Sequence, residues 1–89
     1  MAKKRRKLNK DFEKQIYSSK KNVELVMAKI YDIDDEDIQK EYMSAFNRVV
    51  FLYDELKGEY DKLGFNDNSE KLLTNYKNAF NLFESEFEI

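Results

Sequence analysis

The chain has 89 residues, of which 16 are basic and 18 acidic, with two glycines and no proline, cysteine or histidine. A chain of this length suits one domain that buries only about 60 to 65% of the surface its unfolded form exposes, so its core is sufficient but thin. The missing residue types exclude disulfide staples, thiol nucleophiles, imidazole bases and histidine or cysteine metal sites.

The formal charge of −2 conceals a division along the chain. Lys3, Lys4, Arg5, Arg6, Lys7 and Lys10 crowd the first ten residues without an acid among them, so the acidic groups all fall on the remainder. Residues 1–8 read as a basic arm, expected to be flexible, and residues 9–89 as a single domain. Leu8, Asn9, Lys10 and Asp11 follow the basic run where a secretory signal would continue with apolar residues, and no stretch approaches a membrane span. A cytoplasmic location is the expectation.

The first helix is expected over about 9–31. Leu8, Phe12, Ile16, Val23, Val26 and Ile30 recur at spacings of three and four, with Ser19 in the gap. If helical geometry continues backward into the arm, Lys3, Lys7, Lys10, Lys14 and Lys21 line the opposite side. Such a row can follow a phosphate backbone and release its counterions, although any solvated helix back looks similar. Lys3, Lys4, Arg5, Arg6, Lys7, Lys10, Lys14 and Lys21 are therefore the candidate nucleic-acid contacts. The run KKRRK also satisfies a minimal, nonspecific nuclear-localisation pattern.

An acidic stretch, Asp32, Asp34, Asp35, Glu36 and Asp37, separates the first two helices. Asp34 or Asp35 is expected to cap the second helix, and the neighbouring carboxylates favour the positive end of its dipole. A calcium loop starting at Asp32 fails, because its sixth position is Asp37 instead of glycine and its twelfth is Met43 instead of glutamate.

The second helix is expected over about 35–63. Ile38, Tyr42, Ala45, Val49, Leu52, Leu56, Tyr60 and Leu63 form the expected main face, widened by Met43, Phe46, Val50 and Tyr53, as suits a helix with two neighbours. Gly64 supplies a left-handed stop, with Phe65 expected to fold back toward Tyr60.

The third helix is expected over about 68–87, capped by Asp67 with Glu70 reaching back. Leu72, Leu73, Tyr76, Ala79, Phe80, Phe83 and Phe87 form its stripe. The short loops make the expected fold all-α, an antiparallel up-down-up three-helix bundle with a basic N-terminal arm. That topology gathers Asp32, Asp34, Asp35, Glu36, Asp37, Glu84, Glu86 and Glu88 into an acidic pole, where carboxylates could imitate phosphates in a basic groove of another protein.

No hydroxyl nucleophile has a histidine beside it, and the two isolated glycines cannot build a phosphate cradle. No enzyme activity, cofactor or metal is expected. Leu25, Phe51 and Leu82 instead point away from their own apolar stripes. Phe51 stands beside Lys40, Ser44, Asn47, Arg48 and Glu55, near Gly58, whose missing side chain would admit a close neighbour. Phe51, Arg48, Leu25 and Leu82 are the candidate partner-binding residues.

The leading expectation is a small helical binding protein that docks stoichiometrically on a protein partner, as inhibitor or accessory subunit. The alternatives are a nucleic-acid-binding accessory protein that uses the basic arm and lysine stripe, and a structural homo-oligomer. Small size and a Lys-, Asn-, Asp- and Tyr-rich composition suit a phage or mobile-element origin.

Overall fold

The computed structural model describes residues 7–87. Three helices account for most of them: α1 (Lys10–Tyr31), α2 (Glu36–Leu63) and α3 (Asp67–Glu86). Among the described residues there is no strand; one isolated parallel bridge pairs Lys7 with Gly64. Lys3, Lys4, Arg5, Arg6 and Glu88 lie outside the described residues.

Each helix begins where a side chain accepts from otherwise unpaired amides. Asn9, in extended conformation, accepts from the Phe12 amide at 3.0 Å. The choice between Asp34 and Asp35 falls on Asp35, whose carboxylate accepts from the amides of Asp37 and Ile38 at 2.9 and 3.1 Å. The third cap differs from expectation. Asn66, not Asp67, caps α3, accepting from the Ser69 amide at 2.8 Å, while the Asn66 amide donates to the Ser69 hydroxyl at 2.9 Å. The box closes one residue early because Ser69 is fully buried, a place a short hydroxyl fills and the Glu70 carboxylate could not without losing water. Asp67 and Glu70 remain in the first turn, where their charge still suits the dipole.

Gly64 ends α2 with φ 78° and ψ −156°. The positive φ is as expected, but this ψ lies outside the left-handed helical well, in a region essentially confined to glycine. The chain therefore leaves α2 extended, and the Phe65 amide donates to the Lys7 carbonyl at 2.6 Å. The Phe65 ring correspondingly packs edge-on against Phe12, with centroids 5.1 Å apart. The expected return to Tyr60 is replaced by a contact across to α1, and Phe12 itself lies 5.5 Å from Tyr60.

The core consists of Phe12, Ile16, Val23, Val26 and Ile30 from α1, Phe46, Val49, Tyr53, Leu56 and Tyr60 from α2, and Leu73, Tyr76 and Phe83 from α3. The stripes of α1 and α3 match the sequence reading, apart from Leu8, which precedes the Asn9 cap, escapes helical periodicity and is exposed. In α2 the buried arc is turned from the expected one. Phe46 and Tyr53, expected on the flank, are central, whereas Ile38 and Leu63, expected on the main face, are 43% and 54% exposed. α2 contacts both other helices, so its most enclosed line lies between the two contact directions.

Aromatic contacts join α2 to α3 along their length: Tyr42 to Phe87 at 4.8 Å, Phe46 to Phe83 at 4.9 Å and Tyr53 to Tyr76 at 6.1 Å between centroids. α1 packs less extensively on α2, and polar ties mark its ends. Tyr60 OH donates to Glu13 and accepts from the Asn9 amide, while the Gln39 amide group donates to the carbonyls of Ile30 and Tyr31. The 28 residues of α2 span about 42 Å within a body 57 Å long and 20 by 18 Å across.

Candidate docking surfaces

Phe51, Leu25 and Leu82 are 61%, 57% and 58% exposed, so the backs of all three helices carry a large apolar side chain in water. Phe51 and Arg48 occupy the outer side of α2, where Ser44, Asn47 and Glu55 are exposed as well. Gly58 differs from the sequence expectation, since a Cβ built there meets nothing within 4 Å. Its missing side chain admits no close neighbour from this chain, and the surface around it is open. Arg48 forms no ion pair among the described residues.

Asp32, Asp34, Asp35, Glu36, Asp37, Glu84 and Glu86 are all exposed. The Tyr42–Phe87 contact joins the residue after α3 to the second turn of α2, and Glu84 lines the groove between α1 and α3. Asp35 is occupied as the α2 cap, and Asp32 follows the last turn of α1, its amide donating to the Ala28 carbonyl at 3.2 Å. No cluster of three or more carboxylates arranged to hold a metal occurs among the described residues.

Of the grooves along α1, two are lined by residues that the sequence singled out. The one shared with α3, about 570 Å³, is lined by Leu25, Val26, Tyr76 and Phe80, with Lys14, Lys29, Lys77 and Glu84 around them. It is crossed by Lys77 Nζ donating to the Gln15 side chain at 2.7 Å and by Tyr76 OH donating to the Ser19 carbonyl at 3.2 Å. Of the three exposed apolar candidates, Leu25 lines this groove, while Phe51 and Leu82 line neither groove.

The groove shared with α2 is larger, about 900 Å³. Leu8, Ile16, Tyr17, Tyr53 and Tyr60 supply its apolar surface, and Lys10, Lys14, Lys20 and Lys57 its cations. The lysine row expected from the sequence is shorter than a helix running back into the arm would make it. The helix starts at Lys10, so Lys7 sits in the bridge to Gly64, and only Lys10, Lys14 and Lys21 share a helical side. Lys21 stands over the Tyr17 ring, 4.8 Å from its centroid. Sequence reasoning passed over Tyr17, although a tyrosine opposite the apolar stripe with a lysine four residues on was visible there. Lys20 and Lys57 could be assigned to a groove only once α1 and α2 were packed.

Tyr76 holds its proton more tightly than a free tyrosine does. Burial pushes its hydroxyl up to about 12, partly offset by the nearby Ser19 side chain. Tyr53 is raised as well, first by burial and then by the charges of Asp54, Glu24 and Asp61. Because the folded state holds the Tyr76 proton more tightly than the unfolded chain does, the associated stability is present below pH 10 and is lost as pH rises from 10 through about 12. Tyr76→Phe should lose about 1 kcal/mol at neutral pH through its missing hydrogen bond, yet show a shallower alkaline decline in urea unfolding than the parent chain. Parallel declines would mean that Tyr76 ionises freely in the folded protein.

Comparison with known proteins returns no match: no family model, no curated protein and no solved structure is similar to this chain. No helix among the described residues is long and apolar enough to cross a membrane.

Proposed function

We propose that this chain is a non-enzymatic binding protein that docks stoichiometrically on a protein partner in the cytoplasm, as an inhibitor or accessory subunit. The observation that carries this reading is Phe51: a phenylalanine 61% exposed on the back of the longest helix, beside Arg48 and open space at Gly58. Aromatic and arginine side chains held on a rigid helix lose little conformational freedom on docking and dominate interface energetics. The antiparallel up-down-up order belongs to the same proposal. It is supported by the ties from Tyr60 to Glu13, from Gln39 to Ile30 and from Tyr42 to Phe87, each joining the end of one helix to the beginning of another.

Burying a phenylalanine side chain contributes on the order of 1.5 to 3 kcal/mol, enough to change association by about tenfold or more. Phe51→Asp should therefore leave the thermal midpoint of the isolated protein nearly unchanged while abolishing capture of the partner from extracts of the native host. Sedimentation of the same variant separates the homo-oligomer alternative, in which the parent chain alone is larger than a monomer and the variant is not. Unfolding of the variant, or undiminished capture and assembly, would refute the role of Phe51.

A further inference from the structure

We propose that the groove between α1 and α2 binds single-stranded nucleic acid, a site separate from the Phe51 surface and independent of the docking proposal. The argument begins with charge. Six ionised side chains line this groove, and both carboxylates are already engaged: Glu13 accepts from Tyr60 OH, and both oxygens of Asp61 accept from Lys57 at 2.8 and 2.6 Å. Lys57–Asp61 is the one ion pair among the described residues, which leaves Lys10, Lys14 and Lys20 without a carboxylate partner. These three ammonium groups are distributed over eleven residues of α1, about 15 Å of helix, with Lys20 turned away from the side that Lys10 and Lys14 share. A polyanion lying along the groove complements these cations, because each phosphate that meets a lysine releases a condensed counterion.

The choice of a single strand comes from Tyr17. Its ring is 59% exposed at the groove, with the Lys21 ammonium 4.8 Å from the centroid. An exposed aromatic ring beside a cationic track gives an unpaired base a face to stack on, which bases within a duplex cannot use. The buried rings of Tyr53 and Tyr60 close the groove from the α2 side, and its volume of about 900 Å³ leaves room for a strand.

The probe is a fluorescein-labelled oligothymidylate of about 16 nucleotides, read by anisotropy against the full-length chain. Three lysines engaging phosphates give a slope of about −2 for log K against log salt between about 50 and 200 mM. Lys14→Glu combined with Lys20→Glu should weaken binding by at least about tenfold at the lower salt, and Tyr17→Ala by about tenfold. All three side chains are exposed, so unchanged circular dichroism and thermal midpoints will show that the variants are folded. A chain with Lys3, Lys4, Arg5 and Arg6 replaced by Gln should retain the groove-dependent part of the binding.

Absence of binding at the lower salt overturns the proposal. So does binding that disappears with the four arm charges but ignores the Lys14, Lys20 and Tyr17 substitutions, which would place the contact in the arm. Poly-L-glutamate serves as the competing polyanion. If it displaces the oligonucleotide at equal charge concentration and Tyr17→Ala has no effect, the groove recognises acidic polypeptide instead. Loss of oligonucleotide binding in these variants with partner capture intact would separate this site from the Phe51 surface.

Discussion

Phe46→Ala should cost about 3 to 5 kcal/mol in urea unfolding, the largest single-residue effect in this protein. Phe46 is fully buried, and its ring lies 4.9 Å from Phe83 and 6.2 Å from Phe80 between centroids. Truncation removes the transfer free energy of the ring and leaves a void that two neighbouring aromatic rings cannot fill without leaving their own contacts. A small domain has only about 5 to 15 kcal/mol of total stability, so the variant should lose a large share of it. Phe46→Leu, which keeps most of the volume, should cost clearly less. A loss below about 1 kcal/mol for Phe46→Ala would mean that the seam between α2 and α3 is not the centre of the core.

Leu56→Ala should cost about 2 to 5 kcal/mol, again through loss of burial plus a residual cavity. Leu56 is fully buried, whereas Leu52, one turn earlier, is only partly so. Comparison of the two alanine variants therefore tests the rotation of α2 directly. Leu56 should exceed Leu52 by more than about 1 kcal/mol, reflecting the steep dependence of such losses on burial. Equal losses, or a larger one at Leu52, would restore the facing that the sequence periodicity suggested.

The facing of α2 is where sequence reasoning fell short, and the reason is physical. Apolar residues occupy more than half its circumference, so the pattern alone has no unique centre, and only the positions of α1 and α3 select Phe46 and Tyr53 over Ile38 and Leu63. The stripes of α1 and α3 are narrower, and Phe12, Ile16, Val23, Val26, Ile30, Leu73, Tyr76 and Phe83 could be read from spacing. Helix limits were legible within about two residues because caps are local chemistry. The error at Asp67 arose because two adjacent residues, Asn66 and Asp67, can both cap, and the burial of Ser69 decides between them. The exposure of Leu25, Phe51 and Leu82 followed from the same local geometry. The α1–α2 groove did not, since it joins Lys10, Lys14 and Tyr17 to Tyr53, Lys57 and Tyr60, residues that only tertiary packing brings together.

The stitch between Lys7 and Phe65 has a consequence for how the molecule opens. The Phe65 amide belongs to the loop between α2 and α3, but its acceptor at 2.6 Å is a carbonyl just ahead of α1. α1 packs on the rest less extensively than α2 and α3 pack on each other, so it is the element whose release requires the least work. When α1 departs, the Phe65 amide loses its acceptor even though both helices beside it remain folded. Its exchange with solvent deuterium is then a clock for α1 detachment, set apart from the global unfolding that governs the amides around Phe46 and Leu56. The same departure would dismantle the α1–α2 groove while leaving Phe51 in place, so the two surfaces have separate lifetimes within one small protein.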